Sequence, residues 1–328
     1  MTLNCTNCAD SASNVTFKHS DPLRKYPLKA AAYSNELGTA LSDVFPTAGT
    51  ILWAPALLYF GADIYDKWKN EGTTYNPSKR RGVKEAIFQA CASIFLPTAA
   101  ISAGQRAASS LSRFSDEGLS SKAKEDVLNA SLNYMKSHSL HSYEGNPSAY
   151  TEDFVSSIKI ASEDARYKFE TFSLPKKILS LLNPFKDIDG INFSNSSKLS
   201  SYAMKQAQET LSMRKELMKN IKPKQLSESL FEKFQMRKIE YKKVYPPDKY
   251  LGKAAKSILE DYHKNQIFRN KLAKTLGGFA ALVVLAKPID LFVENVIIKK
   301  AVEPSIQFIH DTFQNYKKST QPKIKNEK

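Results

Sequence analysis

The sequence predicts an all-α protein in which apolar helices are joined to a polar, basic helical domain. Three observations support this prediction. Apolar residues in the polar regions recur at three- and four-residue intervals, and no stretch alternates in the manner of a β-strand. Uncharged apolar runs of about 20 residues also stand out, although the mean hydropathy of the whole chain is only −0.41.

Two apolar runs near the N-terminus predict a transmembrane helical hairpin over residues 44–105. They are residues 44–62 and 86–105, and about 20 helical residues cover the ~30 Å hydrocarbon core of a bilayer. Aromatic residues such as Trp53 and Tyr59 in the first run are typical of membrane helices near the interface. Small polar residues in the second run suit close helix contact in lipid. The alternative is that both runs are buried helices of a soluble bundle.

Residues 1–43 precede this hairpin and predict a flexible polar tail. They contain no apolar core of the kind that a cleavable signal peptide requires. Cys5 and Cys8 form an isolated C-x-x-C pair, and a zinc site needs two further ligands. We therefore predict no metal site, no cofactor and no catalytic residue from this part of the chain.

Residues 106–274 predict a polar helical domain that becomes basic from residue 171. Leu128, Tyr150 and Phe154 fall on helix faces with the spacing of a buried stripe. Prolines divide the later part of the domain into three longer helices. These are predicted over residues 198–221, 224–244 and 248–274.

The net charge of +15 is concentrated in this domain, because residues 171–274 carry 22 basic and 10 acidic residues. Such an excess predicts an anionic partner, and anionic lipid headgroups are the one we expect. Nucleic acid is the alternative, since aromatic residues alternate with basic ones over residues 205–256. The candidate contact residues are Lys215, Lys219, Lys222, Lys224, Arg237, Lys238, Lys242 and Lys243.

A third apolar segment over residues 275–298 predicts a further membrane-associated helix, followed by a basic tail at 299–328. Lys287, Asp290 and Glu294 lie three and four residues apart in it and share one helix face. This polar stripe, with Asp63 as a possible partner, fits an ion pathway, or else an amphipathic half-helix that faces water.

The chain contains no G-x-G-x-x-G, Walker A, H-E-x-x-H or G-x-S-x-G sequence. We therefore expect a non-catalytic, multi-pass membrane protein, of a bacterial inner membrane, that tethers or scaffolds its basic domain. A protein partner or a second copy of the chain is a further expected contact. The alternatives are a soluble or peripheral protein that binds an anionic polymer through residues 205–256, and a transporter or channel component.

The basic clusters of the sequence conflict over orientation. Lys79, Arg80 and Arg81 precede the second apolar run, and Lys271 and Lys274 precede the third. Positive residues favour the cytoplasmic side, and these clusters cannot all lie there if every apolar segment spans the membrane. The sequence therefore leaves the number of crossings open.

Overall fold

The structure is a computed structural model that describes residues 28–69, 79–138, 140–143, 145–176, 190–247 and 249–320. Within these residues 86% are helical and no β-strand occurs. The predicted all-α class is therefore confirmed.

The described residues form α-helices joined by short turns and by segments of altered helical pitch. The α-helices are α1 (Leu28–Ala31), α2 (Ser34–Leu41), α3 (Pro46–Ile51), α4 (Trp53–Lys69), α5 (Lys79–Phe88), α6 (Leu96–Leu111), α7 (Ser121–Ser137), α8 (Pro147–Glu170), α9 (Ser196–Met218), α10 (Glu228–Lys242), α11 (Tyr250–Phe292) and α12 (Glu303–Thr320). Two π-helical segments are Gln89–Phe95 and Val293–Val302, and three 3₁₀ turns are Ser112–Phe114, Leu140–Tyr143 and Ile191–Phe193.

The chain divides into two compact units. The described residues of the first unit are 28–35, 52–69, 79–94 and 290–320, and those of the second lie within 36–51 and 95–289. In the first unit, α4 packs against α5, and α5 contacts the π-helical segment that precedes α12. The contacts of α5 with α4 and with this segment therefore hold the described part of the first unit together.

The second unit holds the main hydrophobic core, which α7, α8, α9, α10 and the first half of α11 build together. Its largest completely buried side chains include Leu128, Tyr150, Phe154, Phe234 and Ile258. Three of these are the residues that helical spacing predicted to lie inside. The aromatic side chains of α10 also belong to this core, because Phe234 is fully buried and stacks with Phe231.

Polar N-cap residues explain where the helices of the second unit begin. The side chains of Ser120, Asn146, Asn195 and Ser227 each accept a hydrogen bond from a backbone N–H in the first turn of α7, α8, α9 and α10. Such caps satisfy donors that the helix itself leaves unpaired, and each stabilises by about 1 kcal/mol.

The helix predicted over 44–62 is instead two helices, α3 and α4, which meet at Leu52. Pro55 explains the division. It has no N–H for the carbonyl of Ile51, and its ring clashes with that carbonyl in a continuous helix. In the first turn of α4 the same proline is tolerated, because the N–H groups there have no helical partner.

Two predicted domain boundaries fall inside helices. The boundary at 105/106 lies within α6, and the boundary at 274/275 lies within α11. No proline separates the polar part of either helix from its apolar part. The last helix of the polar domain and the third apolar segment are therefore continuous over the 43 residues of α11.

Candidate functional site

The surface of α11 changes from buried to exposed along its length. Its first half belongs to the core of the second unit, where Ile258 and Leu259 are completely buried. Beyond Lys274 the apolar side chains face outward, and Leu276, Val283 and Val284 are 62%, 81% and 69% exposed. An exposed apolar stretch of this length indicates a surface that meets lipid or another protein.

Two helices among the described residues are long and apolar enough to cross a membrane, Lys79–Phe114 and Tyr250–Phe313. A core helix of a soluble protein meets the same criterion, but such a helix is mostly buried. The most apolar 18 residues of Tyr250–Phe313 are only 11% buried, and those of Lys79–Phe114 are 33% buried. The described residues of the chain therefore leave most of the apolar surface of this helix uncovered.

Glycines bring α6 and the apolar half of α11 into very close contact. A Cβ atom placed on Gly277 would lie 2.7 Å from the carbonyl oxygen of Gly104, and it would also collide with the Cβ of Ala108. A Cβ atom on Gly278 would lie 3.0 Å from the side chain of Ile101. Small residues at a helix crossing let the backbones approach, as they do in helix pairs within membranes.

A buried ionic cluster lies where α11 changes from polar to apolar. Lys274 is 4% exposed, and its Nζ lies 3.1 Å from Glu125 on α7 and 3.3 Å from Asp43 after α2. Lys271 lies 3.7 Å from the same Glu125 carboxylate. A buried lysine is costly unless it is paired, so this cluster holds α11 in one position relative to α7.

The completely buried His263 on α11 contributes a second polar contact to the core. Its Nδ1 lies 2.8 Å from the carbonyl oxygen of Leu259, which can only accept, so Nδ1 carries the proton. Its Nε2 lies 3.3 Å from Ser131 Oγ and therefore accepts. Burial lowers the pKa of His263, and the bond to Leu259 only partly opposes this. The side chain is therefore a neutral packing group.

The predicted polar stripe lies on an exposed face. Lys287 and Asp290 are exposed near the end of α11, and Glu294 lies 3.5 Å from Lys299.

Within the described residues, no group of three His, Cys, Asp or Glu side chains is placed to hold a metal ion.

Asp63 belongs to a separate polar network that joins α4 to α5 and the π-helical segment after it. Lys67 Nζ lies 2.6 Å from Asp63 Oδ1 and 3.2 Å from Glu85 Oε2. Gln89 Nε2 donates to Asp63 Oδ2 at 2.9 Å and to Glu85 Oε1 at 2.8 Å. Ser93 Oγ in turn donates to the Gln89 side-chain oxygen at 2.8 Å. The network joins the charged side chains of α4 and α5 to one another.

The predicted basic contact residues lie on two helices and on the turn between them, and several have partners within the chain. Lys222 pairs with Glu228, Lys238 donates to Asn220 at 2.8 Å, and Arg237 lies 2.9 Å from Asp261. The other lysines of the set are exposed, and they are Lys215, Lys219, Lys224, Lys242 and Lys243.

Lys215 and Lys219 lie at a groove of about 880 Å³ in the second unit. Its walls come from the 3₁₀ turn Leu140–Tyr143, the first turns of α8 and one face of α9. The sequence identified the two lysines as basic surface residues, but it gave no sign that Leu140, Tyr143 and the first turns of α8 lie beside them. A buried cation at the groove, Arg214, is 7% exposed and was not among the predicted residues.

Comparison of the chain with protein-family models, with curated proteins and with solved structures finds no match. Function is therefore inferred from the geometry of α11, of the crossing between Gly104 and Gly277, and of the groove.

Proposed function

We propose that the protein is a non-catalytic membrane tether, in which the apolar half of α11 inserts into a bilayer and holds the helical bundle beside it. One observation carries the proposal. A single 43-residue helix is packed in the core at one end and exposes an apolar surface at the other. At 1.5 Å per residue this helix is about 65 Å long.

Lipid explains the exposed surface better than water does. Each fully exposed Val or Leu side chain that moves from water to an apolar environment gains about 1.5–3 kcal/mol. Leu276, Val283 and Val284 alone therefore supply several kcal/mol. The crossing of Gly104 and Gly277 supports the same environment, since close backbone packing is how helices associate where lipid already surrounds them.

The polar half of α11 makes the proposed tether stiff up to Lys274. Kinks in helices occur at prolines, at glycine pairs and at inserted groups, and residues 250–274 contain no proline and no glycine pair. Gly277, Gly278 and Pro288 follow in the apolar half. The paired Lys274 holds α11 against the bundle where that half begins, which suits a scaffold. A multi-pass arrangement in a bacterial-type inner membrane stays a prediction, as does contact of Lys224, Lys242 and Lys243 with anionic headgroups.

Alkaline carbonate extraction of membranes tests insertion. The wild-type chain is expected in the pellet. The double variant Val283→Lys, Val284→Lys is expected to release a larger share of the chain into the supernatant than the wild type does, because a lysine at the centre of a spanning helix costs about 2.5–3.5 kcal/mol. The matched control is Val244→Lys, which alters an equally exposed valine in the turn after α10 and is expected to stay in the pellet. Release of the wild-type chain would overturn the proposal.

A further inference from the structure

The groove beside α9 has an apolar interior and a cationic edge. Leu140 is 4% exposed, and Tyr143, Leu211 and Met218 are half-buried around it. Met204 is 45% exposed although it is a large apolar side chain. Unbranched methionines adapt to irregular apolar partners. The apolar surface is therefore placed to receive a flexible hydrocarbon.

The groove follows one face of α9 for most of the helix length. Met204, Gln208, Leu211, Lys215 and Lys219 are spaced four, three, four and four residues apart, which keeps them on one side. Met204 and Lys219 are 15 positions apart, which corresponds to about 22 Å along a helix. The groove is therefore elongated along α9.

Positive charge is concentrated at one end of this length. Arg214 and Lys215 lie in the last two turns of α9, Lys219 directly follows that helix, and Glu152 is the acidic residue among those that line the groove. The N-terminus of α8 lies at the groove as well, since Pro147 and Ser148 line it, and a helix N-terminus adds partial positive charge. An occupant with one anionic end and a long apolar part matches this distribution.

The volume of the groove is that of a small-molecule site. Ligand pockets typically enclose about 300–1,000 Å³, and the groove has a volume of about 880 Å³. A single hydrocarbon chain with a small polar head is an occupant of this size class.

The position of the groove along α11 decides the source of that chain. A Cβ atom on Gly252 would lie 3.8 Å from Arg214 Nη2, so the cationic end faces the beginning of α11. Thr275, where the apolar half begins, is 23 residues further along, or about 35 Å. A lipid held in the bilayer does not extend that far. The choice of a free ligand over a lipid held in the bilayer rests on the proposed membrane position of α11. The charge and shape of the groove are independent of that position.

We propose that the groove binds one free long-chain fatty acid, with its carboxylate at Arg214, Lys215 and Lys219 and its chain along α9 toward Met204. Arginine and lysine form charge-assisted hydrogen bonds with carboxylates. The apolar chain supplies most of the affinity, at about 0.8 kcal/mol for each buried CH₂ group, and the cations select an anionic head.

Photo-crosslinking with a diazirine derivative of palmitic acid tests the proposal. The full chain is held in phosphatidylcholine nanodiscs, and labelled peptides are mapped by mass spectrometry. We expect labelling within residues 140–152 and 204–219, and we expect palmitate to compete more strongly than the uncharged hexadecanol. Labelling confined to 86–105 and 275–298 would show only partition into the bilayer and would overturn the proposal. So would equal competition by hexadecanol.

A charge-matched pair of variants tests the cationic edge. The double variant Lys215→Gln, Lys219→Gln is expected to bind the probe about tenfold more weakly, equivalent to about 1.4 kcal/mol. The control Lys242→Gln, Lys243→Gln removes the same charge at the end of α10 and is expected to bind as the wild type does. Equal loss in both variants would refute the assigned site. Displacement of the probe by an acidic amphipathic peptide, but not by palmitate, would replace the fatty acid with a peptide ligand.

The crosslinking experiment and the carbonate extraction test the two proposals separately. The labelled positions are identified from peptides, and they do not depend on whether the chain stays in the membrane pellet after carbonate extraction. A chain that is released by carbonate but labelled in the groove would contradict the membrane proposal alone. A chain that resists carbonate and is not labelled in the groove would contradict the ligand proposal alone.

Discussion

Replacing Gly277 by alanine is expected to weaken the crossing between α6 and α11. The added Cβ would lie 2.7 Å from the carbonyl oxygen of Gly104 and would collide with the Cβ of Ala108. The carbonyl belongs to a helix backbone and cannot rotate away, so the two helices must separate. Overpacking of this kind costs about 1–3 kcal/mol.

Replacing Gly277 by alanine also stabilises the helix itself, and a second variant measures that effect alone. Alanine is preferred to glycine inside a helix by up to about 1 kcal/mol. Gly252 lies in the same helix, and a Cβ there would meet only Arg214 Nη2 at 3.8 Å, an ordinary contact. Gly252→Ala is therefore expected to be neutral or stabilising, and Gly277→Ala is expected to be less stable than it by about 1–3 kcal/mol.

Thermal unfolding followed by circular dichroism, in one detergent and at one protein concentration, measures this difference. For a domain of 150–250 residues, 1 kcal/mol corresponds to about 2–4 °C in Tm. Gly277→Ala is therefore expected to unfold at least 2 °C below Gly252→Ala. Equal or higher stability of Gly277→Ala would refute the close crossing.

Three further predictions concern the core of the second unit. Because burial lowers the pKa of His263, the unfolded chain binds a proton at this residue below about pH 6.5, and the folded chain binds it only at a lower pH. Acid denaturation should therefore show the free energy of unfolding falling as pH decreases from 6.5, with up to about 1.4 kcal/mol per pH unit from this residue, and the slope should be shallower in His263→Gln. Glu125→Gln removes the carboxylate that lies 3.1 Å from the buried Lys274, and urea unfolding should show a loss of about 3 kcal/mol; a loss below 0.5 kcal/mol would contradict the buried pair. Phe234→Ala should cost about 3–5 kcal/mol in the same assay, whereas Met236→Ala, at a 61% exposed position of the same helix, should change stability by less than about 0.5 kcal/mol.

Local patterns in the sequence predict much of the helical bundle. Spacing and prolines place α9 and α10 within a few residues of their observed bounds, since caps and turn residues act over one helical turn. Helical periodicity also identifies the buried faces of α7 and α8. These features depend on neighbours along the chain, which the sequence displays directly.

Other features depend on contacts between residues far apart in sequence. Gly104 and Gly277 are 173 residues apart, and neither flanking pattern indicates that the two helices touch. The groove likewise brings Leu140, Tyr143 and the first turns of α8 beside α9, so its lysines resemble any other exposed lysines in the sequence. The division of α3 from α4 has a local signal in the sequence, because Pro55 cannot continue a helix that begins before Ile51.

Lipid contact by the apolar half of α11 is tested most directly by a spin label at position 284. The label is attached to Val284→Cys, and separately to Val244→Cys as a water-exposed reference, with Cys5, Cys8 and Cys91 replaced by serine. Power-saturation measurements then compare collision with oxygen, which concentrates in lipid, and with a water-soluble nickel chelate. We expect oxygen to dominate at 284 and the nickel complex to dominate at 244. Nickel accessibility at 284 as high as that at 244 would contradict insertion of α11.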